Sequence, residues 1–202
     1  MKPPPRHLIA LLCAAIAASL TICASAYAGF IVTLTQQGSN VVATGSGAID
    51  VTGLTFATTG LQSGAIYPNF GQIAVGPIDS LADIYFGGTG PITFGSGSGA
   101  LESSSMGDIV GIQGTIFAAY VSVPAGYVSG APLVDSSTYD NATFASLGVT
   151  LGTYEWTWGT GANQNFTLQI GPAKVPDSGS TFALLSLGLA ALLARSRLRC
   201  LN

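Results

Sequence analysis

A chain of 202 residues, 48% hydrophobic and only 7% charged, has room for one domain of ordinary size with short flanking segments. Against roughly 25% charged residues in an average soluble domain, so little charge excludes a coiled coil, a charge-rich disordered tail and long amphipathic helices, whose wet faces need Lys, Glu and Arg. The net charge of −3 hides a partition: Lys2, Arg6, Lys174, Arg195, Arg197 and Arg199 all lie outside residues 29–173, while Asp50, Asp79, Asp83, Glu102, Asp108, Asp135, Asp140 and Glu155 lie inside, and so acidic a middle cannot neutralise the phosphates of nucleic acid.

Residues 1–28 read as a cleavable secretory signal that uses the secretion translocon and signal peptidase. Lys2 and Arg6 form the positive start, Leu8 to Leu20 the apolar run, and Ala26-Tyr27-Ala28 a small-x-small cleavage site that leaves Gly29 as the mature N-terminus. The apolar run is short for a permanent span. Leu20-Thr21-Ile22-Cys23 has the outline of a lipoprotein site, but Ile22 is too large for the position before the cysteine. The single histidine, His7, and the three cysteines, Cys13, Cys23 and Cys200, also fall outside residues 29–173, so disulfides cannot staple that segment.

Residues 29–173 alternate short β-rich runs with glycine-rich punctuation, which predicts an all-β antiparallel sandwich, jelly-roll-like, of about eight to ten strands. Phe30 to Thr35, a polar turn at 36–40 and Val41 to Thr44 read as a first hairpin, continued by Ile49 to Phe56. Gly64 to Val75, Asp83 to Phe86, Ile92 to Phe94 and Asp108 to Tyr120 are further candidate strands. Val134 to Asn141 reads as a loop, and Thr143 to Leu147 as a strand. In the last hairpin Tyr154, Trp156 and Trp158 alternate with Thr153, Glu155 and Thr157, and Phe166, Leu168 and Ile170 return beside them, one apolar face able to close a core.

Residues 174–202 run in the order polar motif, apolar helix, basic end: Val175-Pro176-Asp177-Ser178-Gly179, then a hydrophobic helix over 181–194, then Arg195, Arg197 and Arg199 within 195–199. The apolar stretch from Phe182 to Ala194, at about 1.5 Å per residue, reaches roughly 20 Å of a hydrocarbon core about 30 Å thick, so this short transmembrane helix is a marginal anchor. The three arginines hold the C-terminus in the cytoplasm and place residues 29–173 outside, the orientation the N-terminal signal also demands. A plain membrane anchor is the alternative reading. The tail resembles the PEP-CTERM class of sorting signals, in its VPDSG-CTERM variant, with Val175 to Gly179 as the motif; Asp177-Ser178-Gly179 replaces the Pro-Glu-Pro form. The resemblance implies recognition by an exosortase, a membrane-embedded transpeptidase. It further implies transient anchoring in the inner membrane of a Gram-negative-type bacterium, then delivery to the cell surface or extracellular matrix, where such proteins accompany exopolysaccharide. Tyr154 to Gly159 and Phe166 to Gly171 are also similar to the ends of short PEP-CTERM ectodomains.

Chemistry is sparse in the middle segment, which holds no imidazole, thiol, amine or guanidinium. Glu102 and Glu155 are the only glutamates and the only pair to set against a glycoside hydrolase. Ser103-Ser104-Ser105 has no base to activate it. Excess carboxylate makes calcium the cofactor to consider, with Asp79 and Asp83, or Asp135 and Asp140, as ligands. Tyr127, Tyr139 and Trp158 are candidates for stacking on sugar rings, whereas Trp156 is expected in the core. The sequence therefore favours a non-catalytic structural protein of the envelope or matrix, followed by a lectin-like carbohydrate-binding module and, third, a hydrolase.

Overall fold

The computed structural model describes residues 29–171, very few of them in helix and more than half in strands. In chain order these are β1 (Phe30–Gln37), β2 (Asn40–Ala48), β3 (Thr55–Gln62), β4 (Ala65–Tyr67), β5 (Gln72–Val75), β6 (Ser80–Gly88), β7 (Ala100–Leu101), β8 (Ser104–Gly107), β9 (Val110–Gly114), β10 (Ala119–Pro124), β11 (Pro132–Tyr139), β12 (Gly152–Thr157) and β13 (Asn165–Ile170). One α-helical turn, α1 (Phe144–Leu147), and one 3-10 turn, Pro68–Phe70, stand among them. A six-stranded sheet has the order β12-β13-β1-β2-β11-β8, and a seven-stranded sheet the order β3-β6-β10-β9-β5-β4-β7. The signal segment 1–28 and the sorting segment 174–202, including Ala26, Ala28, Val175 to Gly179, the helix over 181–194, Arg195, Arg197 and Arg199, lie outside the described residues. Among the described residues no helix is long and apolar enough to cross a membrane.

The two sheets share one core. Alternation sends Phe30, Val32 and Leu34 of β1 inward with Val41 and Ala43 of β2 and Phe166, Leu168 and Ile170 of β13; from the other sheet come Ile66, Ile73, Val75, Val110, Ile112, Val121 and Val123. Trp156 fills the centre with no exposed surface, meets Phe166 edge-on at 5.9 Å between ring centroids, and donates its indole N–H to the Pro91 carbonyl at 2.8 Å. Gly114 makes room for that contact, because a Cβ there would lie 1.8 Å from the Pro91 oxygen. Among the described residues the cluster runs from Phe30 to Ile170, so segment 29–171 carries a hydrophobic core drawn from both sheets.

The terminal hairpin pairs as its alternation predicts, with Tyr154 opposite Leu168 and Trp156 opposite Phe166. Several expectations change, beginning with the strand count, thirteen among the described residues against about eight to ten, and with Ile92 to Phe94, which forms no strand. The sheets are not purely antiparallel: β1 and β13 run parallel, Phe30 opposite Phe166 and Leu34 opposite Ile170, so the chain enters and leaves at opposite ends of one strand pair. Residues 134–141 are not a loop but most of β11, which pairs with β2 and β8. Its inward positions are Leu133, Asp135, Ser137 and Tyr139, and that polar pair masks the alternation on which a strand is recognised. Residues 143–147 are not a strand, because Thr143 and Ser146 exchange side-chain to backbone hydrogen bonds as a capping box and start α1. Finally, the chain turns after Ile49: the Asp50 carboxylate accepts the Thr52 N–H and Leu54 N–H reaches the Val51 carbonyl, an Asx-type turn that delays β3 to Thr55.

Candidate functional site: a groove on the seven-stranded sheet

With Ile66, Ile73, Ile112 and Val121 pointing into the core, period-two alternation turns Tyr67, Gln72, Gln113 and Tyr120 outward. Strand register then lines them up. Tyr67 lies opposite Gln72, Gln72 opposite Gln113, Gln113 opposite Tyr120, and Tyr120 opposite Phe86. At about 4.8 Å between strands this row of five spans roughly 19 Å. The next outward row reads Ala65, Ala74, Gly111, Ser122, Ile84 and Thr58 by the same pairings. Its central residues are small, so the sheet is low there and the taller row stands beside it as a wall.

The result is a groove of about 330 Å³ lined by Thr58, Gln62, Gln72, Ile84, Gln113, Tyr120 and Ser122. A second hollow of about 310 Å³, bounded by Tyr67, Phe70, Gln72 and Gln113, shares the two glutamines with it. Gln62 donates to Ser122 at 3.4 Å across the floor. Elsewhere glutamine amides brace the fold: Gln164 donates to the Thr52 carbonyl at 2.8 Å, and the Gln36 side-chain oxygen accepts the Phe144 N–H at 3.3 Å. Gln72 and Gln113 make no such side-chain bond among the described residues, and each keeps a donor and an acceptor facing solvent. Phe86 and Tyr120 sit 6.4 Å apart between ring centroids, both about two-fifths exposed. No charged side chain lines either hollow. A trough with amides along one wall and aromatic faces at intervals suits an extended, uncharged, hydroxyl-rich ligand.

The residues singled out from sequence are placed elsewhere. Tyr139 is 2% exposed and turned into the core, where burial and the neighbouring Glu102 charge push its phenol up; it cannot stack on a ligand. Tyr127 is half-buried, donates its hydroxyl to the Ala131 carbonyl at 2.6 Å and receives the Ile49 N–H, so it ties two turns together. Trp158 packs against the core and donates to the Asp50 carbonyl at 2.6 Å.

The paired aspartates each engage partners of their own. Asp79 binds Ser63, whereas the Asp83 carboxylate accepts from Thr59 and from the Gly126 N–H, contacts that hold its pKa below the usual range. Asp135 and Asp140 are five residues apart along and just beyond β11, about 16 Å on an extended strand, too far to share one ion. Among the described residues no group of three or more Asp, Glu, His or Cys comes together as a metal site. Glu102 accepts from Ser105 next to β8, while Glu155, on β12, accepts from Asn165. Those strands are opposite edges of the six-stranded sheet, about 24 Å apart at 4.8 Å per strand, against the 5 to 9.5 Å or so that a glycosidase carboxylate pair requires.

Asp135 is the other unusual group. It is 3% exposed, neither carboxylate oxygen has a hydrogen-bond partner, and burial, with the nearby Asp108 charge adding to it, raises its pKa to about 8.

Residues 174–199 match the family model of the VPDSG-CTERM motif. The chain thus carries a PEP-CTERM-like sorting tail, which implies processing by an exosortase-type enzyme and export to the cell surface. No curated protein and no solved structure matches the chain.

Proposed function

We propose that this protein is an exported, non-catalytic surface module that binds an extended neutral glycan in the groove of its seven-stranded sheet. The sorting tail supplies the route: signal cleavage before Gly29, transient anchoring with Arg195, Arg197 and Arg199 inside, and transfer by an exosortase-type transpeptidase at Val175 to Gly179 to the surface or matrix of a Gram-negative-type cell. The domain is a jelly-roll-like sandwich whose chain leaves from β13, in the six-stranded sheet, so the groove opens on the opposite layer.

The observation that carries the reading is the cross-strand row Tyr67, Gln72, Gln113, Tyr120 and Phe86, in which two unengaged amides lie between aromatic rings. Amides offer paired donors and acceptors to sugar hydroxyls, and rings offer apolar faces to the C–H faces of a pyranose. The absence of any Lys, Arg or His from residues 29–171 weighs against polyanionic polymers and leaves neutral ones. Sequence alone favours a passive structural role, and the same export route serves that role; the groove is what favours binding over it.

The test is affinity electrophoresis of segment 29–171 through gels containing neutral or acidic polysaccharides. Retardation by at least one neutral polymer is expected, with affinity lowered roughly tenfold or more by Tyr120→Ala combined with Gln113→Ala, the scale of losing one or two good contacts. Migration unaffected by every neutral glycan, or retardation that survives the double substitution, would sink the assignment.

A further inference from the structure

Four strands end the two sheets, and three of them are protected. β7 has two residues and β8 four, too short to template another chain. β12 carries Glu155, and its last residue is bridged by Thr89. β3 differs: eight residues, Thr-Phe-Ala-Thr-Thr-Gly-Leu-Gln, with no charge and no proline, and with all but Gly60 and Gln62 exposed. Among the described residues it pairs with β6 alone, so its outer edge has no strand partner there, which is the situation natural sheets suppress with lysines, prolines or cover.

We infer that β3 is a self-association edge, on which a second copy of this chain pairs antiparallel through its own β3. The strand is complementary to itself because of its bulge. Phe56, Thr59 and Leu61 oppose Tyr85, Asp83 and Leu81 of β6, all on one face, while Ala57 is the extra residue at the irregularity between Phe56 and Thr58. Five positions separate Phe56 from Leu61, an odd number that would put them on opposite faces of a regular strand. With the bulge they share a face, and a two-fold axis at Thr59 sets Phe56 of each copy beside Leu61 of the other. Those side chains are 53% and 66% exposed in the single chain.

Charge does not oppose the pairing. The nearest carboxylate, Asp83, lies one strand in, so its two copies are three strand spacings apart, about 14 Å, beyond a Debye length of about 8 Å at physiological salt. The groove ends at Thr58 and Gln62 on the same strand, so pairing joins two seven-stranded sheets and brings their two grooves end to end. One strand pair buries less than the roughly 1,200 Å² of a stable standard interface. The pair is therefore weak in dilute solution and favoured where surface tethering concentrates the chains. This inference does not depend on glycan binding.

Segment 29–171 lacks cysteine, since the three cysteines are Cys13, Cys23 and Cys200, which permits a single-cysteine test. Under mild oxidation Thr59→Cys is expected to give disulfide-linked dimers roughly tenfold faster than Thr153→Cys on β12, because paired strands bring Cα atoms within disulfide reach. Sedimentation of the unsubstituted segment should show a mass rising towards the dimer as concentration increases, and Leu61→Lys should abolish that rise while leaving the melting temperature within a few degrees. Equal cross-linking rates, a monomer at every concentration, or a dimer that survives Leu61→Lys would each overturn the inference.

Discussion

Both sheets turn an apolar face inward, but they differ in how many polar groups go with it. On the seven-stranded sheet the inner face is aliphatic, built from Ile73, Val75, Val110, Ile112, Val121 and Val123, and the polar side chains Gln72 and Gln113 stand on the outer one, with Ser122 buried beside them and accepting from Gln62. On the six-stranded sheet some polar groups also cross to the inside, since β11 sends Asp135, Ser137 and Tyr139 inward; its outer hollow, of about 450 Å³, carries the hydroxyls of Thr33, Thr44, Ser46 and Ser136. Ser137 is satisfied, its hydroxyl accepting the Gly76 N–H at 3.0 Å. Asp135, one oxygen of Glu102 and the Tyr139 hydroxyl are not. In a chain this poor in charge, polarity divides into groups turned to solvent that cost little and groups turned inward that penalise the fold.

The largest expected effect tests where the fold's stability resides. Trp156 bridges the layers, so Trp156→Ala should cost about 3–5 kcal/mol, visible as a melting temperature lower by roughly 10 °C or more. A loss below about 1 kcal/mol would mean that the sheets are held by something other than this centre.

Next comes the buried acid. Unfolded, Asp135 titrates as an ordinary aspartate, near 3.8; folded, it keeps its proton to about pH 8. Between those limits the native state binds the extra proton, so its contribution to stability is complete below the lower limit and is lost as pH rises towards the upper one, with a slope of at most about 1.4 kcal/mol per pH unit. Asp50, whose hydrogen bonds with Thr52 lower its pKa, and Asp83 act in the other direction, but only as pH falls through the acidic range where their folded forms titrate. Chemical denaturation from pH 5 to 8 should therefore show stability falling with pH, and Asp135→Asn should flatten the curve and raise stability at pH 8. An unchanged slope in Asp135→Asn would show that the carboxylate reaches water.

How much of this the sequence discloses follows from the same contrast. Strands whose inward residues are apolar, such as β1, β2 and the β12–β13 hairpin, announce themselves by alternation. β11 does not, because its inward set includes Asp135 and Ser137, and a reader of pattern assigns polar residues to loops. α1 is missed for a related reason: Thr143 and Ser146 look like strand hydroxyls until their capping bonds are seen. The tail is legible because its signal is linear, a motif, an apolar run and arginines in order. The groove is not, because it exists only through register across β4, β5, β9, β10 and β6, strands that are not all neighbours in sequence. A local trace was present: Gln72 and Gln113 each adjoin an isoleucine in a short apolar run, the alternation of a strand with one wet face. The aromatic residues are the stronger signal in the sequence, yet Tyr139 and Trp158 are used by the fold.

The smallest expected change in stability is also the sharpest test of the contrast. Gln72 and Gln113 are half-buried residues whose amides touch no fixed partner, so Gln72→Ala with Gln113→Ala removes solvent-facing groups and leaves no orphan inside. The cost should be within about 0.5 kcal/mol, the range of surface substitutions, with a small offset because alanine is a poorer strand residue. An inward glutamine would behave otherwise, since truncation would leave a cavity or an unpaired neighbour costing about 1–3 kcal/mol. Melting curves and glycan retardation measured on the same double variant separate the two cases: unchanged stability with lost retardation places the amides in the binding wall, whereas a destabilised domain would show that they brace the sheet and that the groove is a by-product of packing.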